Sequence, residues 1–172
     1  MEPVEINAGE YYLRQLRADR LLDDRPALIS AFADPLLRAL GPDYAVDTLA
    51  DADAYVRRRA EEWASDRRCS WAVAEPTTGD LLGEVGLADL DLANGTADVT
   101  VWVAPARRRT GLASTVVDTA VRFGFGALDL REVACSHAAD DAASRAVAQR
   151  CGFTPRDSDG DEVRWGRRPS GA

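Results

Sequence analysis

The stretch Val99-Thr-Val-Trp-Val-Ala-Pro-Ala-Arg-Arg-Arg-Thr-Gly-Leu-Ala113 constrains this chain more than any other. Alternating residues from Val99 to Val103 predict a strand. Pro105 ends it, and Leu112, Val116, Val117, Ala120 and Val121 recur at helical spacing beyond Gly111. On this reading Arg107, Arg108 and Arg109 crowd the first turn of a helix. That end already carries partial positive charge and unpaired N–H groups, so three cations are unfavourable there unless an anion sits among them. A phosphate suits such a terminus best. The segment therefore calls for a strand, a tight glycine turn and a helix start arranged around a phosphate.

Composition narrows what that phosphate can belong to. The 172 residues, 46% of them hydrophobic, fit one domain over 1–172 with its core from about 11 to 168. A formal charge of −8 argues against a general nucleic-acid surface; it suits either a solvated surface or a cationic acceptor. Every basic residue is arginine, and the chain holds no lysine. A Walker-type phosphate loop and lysine Schiff-base chemistry are thereby excluded. Cys69, Cys135 and Cys151 show no C-x-x-C spacing, and with His137 the sole histidine they argue against structural zinc, so no metal is expected. Met1 to Arg20 lacks the apolar centre of a signal peptide, and no run approaches membrane-spanning length. The expected compartment is the cytoplasm, with reduced thiols.

Local signals order the elements. Tyr11 to Leu16 reads as a first strand; Asp24 reads as the cap of a helix with Pro26 in its first turn and Leu28, Ile29 and Phe32 on its buried side. A short turn of helix starts at Asp34-Pro35 and stops at Gly41-Pro42. Thr48 and Asp51 form a capping box for a helix whose apolar positions are Leu49, Ala52, Val56, Ala60 and Trp63, with Arg57, Arg58, Glu61 and Glu62 outward. Ser70–Ala74, Leu81–Leu87 and Ala97–Val103 form an antiparallel meander, with turns at Thr77–Asp80 and Asn94-Gly95. Arg131–Ser136 is the next strand, and a helix from about Ala142 to Arg150 ends at Gly152. Phe153 and Val163–Arg168 close the sheet through an Asp159-Gly160 turn. The acidic run 157–162 lacks the spacing of a calcium loop, and Gly124-Phe-Gly126 lies at a helix end rather than after a strand, so neither is taken as a site.

These elements and residues resemble the GNAT superfamily of N-acyltransferases over nearly the whole chain. Arg108-Arg-Thr-Gly111-Leu-Ala113 matches the family pattern Arg/Gln-x-x-Gly-x-Gly/Ala. Asp140-Asp-Ala-Ala-Ser144, Arg150-Cys-Gly-Phe153 and Phe32-Ala-Asp-Pro35 resemble the ribosomal-protein (N-terminal alanine) N-acetyltransferase branch. The resemblance implies an α+β (mixed α/β) GNAT fold: a mostly antiparallel, twisted sheet of about seven strands, flanked by helices and splayed where acyl-coenzyme A binds. It implies that backbone N–H groups of Arg108, Arg109, Thr110, Gly111, Leu112 and Ala113 cradle the coenzyme A pyrophosphate. The pantetheine arm would pair with backbone at Val101, Trp102 and Val103 like an added strand, with Asp141 and Ser144 close by. Several residues depart from the pattern. Glycine is common where Arg109 stands, and arginine or glycine where Thr110 stands; the branch's asparagine falls on Asp141, and the tyrosine that many members use as general acid falls on Ala148.

The implied reaction is transfer of an acyl group, foremost acetyl, from acyl-coenzyme A to a primary amine by direct attack in a ternary complex. The acceptor is a protein N-terminus or a small amine; no membrane or nucleic acid is involved, and a homodimer stays open. Such a step needs a neutral amine and a path for its proton. Asp98, where many members carry glutamate, is the first candidate to hold the amine and relay its proton; Glu84 on the preceding strand is the second. Asp98, Thr100 and Trp102 fall on one face of the strand and Val99, Val101 and Val103 on the other. Asp141 reads either as a pantetheine contact or as a helix cap. Ser144 reads as donor to the leaving thiolate, pantetheine contact or first-turn helix residue. His137 reads as a loop residue near the cleft mouth, Trp102 as a channel lining, and Trp63, Trp71, Cys135 and Cys151 as core. A coenzyme A-binding module without turnover is the rival reading.

Overall fold

In a computed structural model, which describes residues 1–158 and 160–170, a helix-covered sheet of eight strands holds the chain together. The strands are β1 (Ile6–Asn7), β2 (Tyr12–Arg14), β3 (Cys69–Ala74), β4 (Leu81–Asp91), β5 (Thr96–Val103), β6 (Glu132–Ala138), β7 (Thr154–Pro155) and β8 (Glu162–Arg167), and they lie in the order β1-β2-β3-β4-β5-β6-β8-β7. Every pairing is antiparallel except β5 with β6. The helices are α1 (Arg25–Phe32), α2 (Pro35–Arg38), α3 (Leu49–Ala64), α4 (Leu112–Ala127) and α5 (Ala142–Arg150). The expected sheet is present with two short strands at its edges, β1 and β7. Gly160 adopts the left-handed conformation, whereas Asp159 of the expected turn lies outside the described residues.

β3 is buried at all six positions, because helices cover both faces of the sheet there. On one side Trp71, Val73, Val85, Leu87 and Val99 pack with Val116, Val117, Ala120 and Val121 of α4. On the other, Leu28 and Phe32 of α1 meet Ala52 and Tyr55 of α3 and Trp102 of β5. Each α4 residue named lies three or four positions from another, so the amphipathic stripe read in the sequence is the face that packs. The Thr48–Asp51 capping box at α3 and the Gly152 turn after α5 (φ +73°) also form as expected.

Two local expectations are corrected. Asp24 makes no side-chain cap for α1. Its carboxylate instead accepts both terminal nitrogens of Arg14 (2.7 and 2.9 Å) and the backbone N–H of Arg17 (2.8 Å), deep in the protein. A buried guanidinium outcompetes a helix terminus because an unpaired internal charge is far costlier than a missing cap. The buried face of α3 is also turned from the expected one: Ala52, Tyr55, Arg59 and Trp63 point inward, while Leu49 is 54% exposed and Ala60 is exposed. Polar partners on the sheet draw Tyr55 and Arg59 in.

Candidate active site

The site begins with the two edges of β5. Ala104 N donates to Leu82 O (2.8 Å), which sets the phase of the β4–β5 ladder. In an antiparallel pair, bonded and non-bonded residue pairs alternate. From the register Gly83↔Val103 to Ala88↔Asp98, the backbone groups of Trp102, Thr100 and Asp98 therefore face β4. Those of Val99, Val101 and Val103 face the other way, toward β6. There the pairing covers only Thr96↔Glu132, Ala97↔Val133 and Asp98↔Ala134, although β5 runs on to Val103 and β6 to Ala138. Beyond Asp98 the parallel strands diverge into a fork, leaving the polar backbone of Val101 and Val103 without a strand partner. Of the three β5 residues implicated by sequence, Trp102 is thus turned the wrong way: its backbone bonds β4. Its side chain is 4% exposed and packs edge-on against Phe32 (ring centroids 4.9 Å apart), so it is core rather than a channel lining.

The chain leaves the fork through Pro105–Arg107, a single 3-10 turn, and enters α4 at Leu112. Arg107, Arg108 and Arg109 precede the helix and do not form its first turn, as the sequence had suggested. Arg109 takes φ +62°, a left-handed conformation that disfavours side chains. Gly111 takes φ +82°, and a Cβ there would meet nothing within 4 Å of the protein. The first bond back into α4 is Thr115 N to Gly111 O (3.2 Å), so the N–H groups of the preceding turn face outward without helical acceptors. Arg107 and Arg109 are exposed, while Arg108 Nη2 reaches Asp34 Oδ2 (2.5 Å) at the start of α2. An outward-facing helix terminus, an open left-handed glycine and two unpaired backbone positions on one fork fit a pyrophosphate joined to an extended amide-containing arm. That is the chemistry of coenzyme A.

α5 flanks the other prong. Asp141 caps it, accepting Ser144 N (3.0 Å) and the Ser144 hydroxyl (2.6 Å). Partial burial works against its charge, but the two Ser144 bonds prevail and hold the Asp141 carboxyl below its usual range. The Ser144 proton is therefore directed at Asp141. His137 is not a loop residue: it lies buried in β6, its Nε2 accepting from Trp165 Nε1 (2.9 Å) and its Nδ1 placed 2.7 Å from Ala138 O. With Nε2 an acceptor, Nδ1 carries the proton, and both nitrogens are engaged. Burial pushes the Cys135 thiol up to about 12 and the Cys151 thiol up to about 11, as suits core cysteines.

The two carboxylates singled out from the sequence have opposite surroundings. Asp98 is partly exposed and faces Arg164 of β8 with both oxygens (3.0 and 3.5 Å); Arg164 also reaches Ser136 (3.3 Å) on β6. The pair spans β5, β6 and β8 at the root of the fork. Glu84 is 1% exposed, and its Oε1 accepts the Tyr55 hydroxyl (3.0 Å) and Arg59 Nε (3.1 Å), with Arg68 3.8 Å away. Its Oε2 and the indole N–H of Trp102, its register partner across the β4–β5 seam, have no hydrogen-bond partner among the described residues. Burial opposes the charge of Arg59, but Glu84, Tyr55 and Glu62 outweigh it and raise its pKa, while burial raises that of Tyr55. Sequence reading missed Tyr55, Arg59 and Arg68. The signal available was Gly86: Arg68 lies over it, where a Cβ would stand 3.1 Å from the guanidinium, and so reaches Thr100 (2.6 Å). Among the described residues no group of three or more His, Cys, Asp or Glu side chains is placed to hold a metal, and no helix is long and apolar enough to cross a membrane.

This architecture and the matching sequence place the protein: residues 12–154 match the acetyltransferase (GNAT) domain, and the chain belongs to that family. It is similar to YdaF of Bacillus subtilis, named as a ribosomal N-acetyltransferase, with 32% identity over 75 residues. That match spans 44% of this chain and 41% of the relative. A Vibrio cholerae structure named as a ribosomal-protein-serine acetyltransferase superposes with TM-score 0.83 at 18% identity, covering 98% of this chain and 100% of that one. Spermidine N-acetyltransferase from the same organism, solved with coenzyme A and spermine, superposes with TM-score 0.74 at 16% identity over 92% and 95% of the two chains.

Proposed function

We propose that the protein transfers an acetyl group from acetyl-coenzyme A to a primary amine, with both substrates bound together. The observation that carries this reading is the β5–β6 fork, with the backbone of Val101 and Val103 turned into it and the Gly111 helix terminus at its open end. Coenzyme A supplies the activated thioester; the chain's own part is to orient it and to move a proton. Val101 and Val103 pair with the arm, and the N–H groups from Arg109 to Ala113 hold the phosphates. A β5 N–H beside the carbonyl also suits the negative charge that develops there on attack.

For the proton we assign Glu84 in preference to Asp98. Both Asp98 oxygens are held by Arg164, whereas Glu84 Oε2 has no donor among the described residues and lies in a protected interior. A water accepting from Trp102 Nε1 and donating to Glu84 Oε2 would take the ammonium proton and deliver it to the Glu84 carboxylate. Asp98 with Arg164 then ties the root of the fork. Ser144, its proton directed at Asp141, positions that cap. The acceptor is a protein N-terminus or a small polyamine, the kinds of acceptor in the names of a ribosomal L7/L12 alpha-N-protein acetyltransferase and a spermidine N-acetyltransferase of the same fold.

The test is thiol release from acetyl-coenzyme A against a panel of N-terminal peptides and polyamines, expected to give turnover with at least one. Asp98→Asn is expected to stay within about twofold of the parent at pH 8, under 0.5 kcal/mol of barrier, and Glu84→Gln to lose far more. The reverse pattern would exchange their roles.

One observation favours a second reading. Asp98, Ser144, His137 and Arg108 are all engaged by other protein groups, and the tyrosine position is Ala148. That is the pattern of a coenzyme A-binding module without turnover. Coenzyme A binding with no thiol release for any amine would select it.

A further inference from the structure

The ion pair between Arg108 and Asp34 joins residues 74 positions apart in sequence. Arg108 opens the Arg-x-x-Gly-x-Ala loop, and Asp34 sits between α1 and α2, whose Phe32 and Leu37 join the cluster around Trp102 on the face of the sheet away from α4. Asp34 does two things at once: it accepts Arg108 Nη2 at 2.5 Å and caps α2 by accepting Leu37 N at 3.3 Å. The same junction is tied inward. Arg38 Nε donates to Phe32 O (2.7 Å), and the Phe32 ring packs on Trp102, on the strand that leads into the loop. A closed ring of contacts thus runs from β5 through Phe32, α2 and Asp34 to Arg108. Only one Arg108 nitrogen is used in that ring, and the side chain stays 34% exposed, so the remaining donors can face a phosphate while Asp34 orients the guanidinium.

We propose that Asp34 is a positioning residue that couples coenzyme A binding at the Arg108 loop to the ordering of α2 on the acceptor side. This rests on the coenzyme A reading given above. Binding at the loop fixes Arg108, Arg108 holds Asp34, and Asp34 holds the first turn of α2. Linkage then requires that acceptor binding against an ordered α2 tighten coenzyme A in return.

Asn caps a helix as well as Asp does but carries no charge, so Asp34→Asn separates the ion pair from the cap. The test is hydrogen exchange of the full chain with and without coenzyme A, with affinity measured by calorimetry on the same samples. In the parent, coenzyme A should slow exchange both at residues 107–115 and at residues 33–40. In Asp34→Asn the slowing should be confined to 107–115, with unchanged thermal stability and affinity weaker by about tenfold, a usual size for such coupling. Arg108→Gln, which also removes the phosphate contact, should show the same confined slowing and lose at least as much affinity, and the double variant should be no worse than Arg108→Gln alone. Coenzyme A heat without slowing at 33–40 in the parent would overturn the coupling and leave the cofactor reading standing. An Asp34→Asn variant indistinguishable from the parent would do the same. No heat at all would remove both.

Discussion

β5 treats its two neighbours differently. Against β4 it is paired from Asp98 through Val103, sealed by Gly83, whose missing side chain leaves room for the Trp102 carbonyl, and backed by the buried Glu84 cluster. Against β6 it is paired over Thr96, Ala97 and Asp98 alone, then bare. One strand with one hydrophobic pattern therefore makes a closed seam on one edge and an open fork on the other. Burial and backbone bonding belong to the seam, which also holds the carboxylate assigned to the proton, and coenzyme A binding belongs to the fork.

Variants on the two edges should therefore separate stability from binding. The largest effect expected is at the fork's mouth: Gly111→Trp should abolish coenzyme A binding in calorimetry. Its left-handed backbone costs the fold only about 1–2 kcal/mol. Retained affinity would detach the phosphate loop from this terminus. Next comes the seam. In Gly83→Ala the new Cβ would stand 2.3 Å from Trp102 O, so the strands must part. Urea unfolding should show a loss of about 3 kcal/mol or more, while the affinity of the remaining folded protein falls far less than in Gly111→Trp, the displaced Val103 being one of several contacts. Loss of affinity without loss of stability would invert the comparison.

A smaller effect is expected at Arg109. Arg109→Gly relieves a left-handed side chain but adds freedom to the unfolded chain, so stability should move by no more than about 0.5 kcal/mol. Coenzyme A affinity should fall about two- to fivefold for one cation lost beside a helix terminus. The difference from the parent should shrink as salt is added. The smallest effect concerns the thiols of Cys69, Cys135 and Cys151, which burial raises from 9.0 to about 12, 12 and 11. The unfolded chain therefore releases these protons first. Their contribution is complete below pH 9 and is lost as pH rises toward 11 to 12. Melting temperature should decline between pH 8 and 10.5, and less so in a Cys135→Ala variant.

Much of the fold could be read directly because its signals are local. The Thr48–Asp51 box, the Gly152 turn and the α4 stripe each depend on residues within one or two turns of each other. Signals failed where a side chain found a distant partner. Asp24 looks like a cap until Arg14 is buried beside it, and Asp98 looks like a free base until Arg164, 66 residues on, closes over it. His137 looks exposed until Trp165 covers it. Tyr55 and Arg59 became interior residues only because Glu84 stands opposite them, which no helical periodicity encodes.

The sequence by itself determined the order of the main elements, the glycine-bearing loop and the apolar face of α4, since these follow from φ/ψ preference and from burial at periods of two and 3.6. Only the tertiary structure decided which edge of β5 stays open, which way the backbone of Val101, Trp102 and Val103 points, and which carboxylate keeps an oxygen free. Strand phase and long-range ion pairs are set by neighbours that folding brings together, and a linear pattern of residue types holds no record of them.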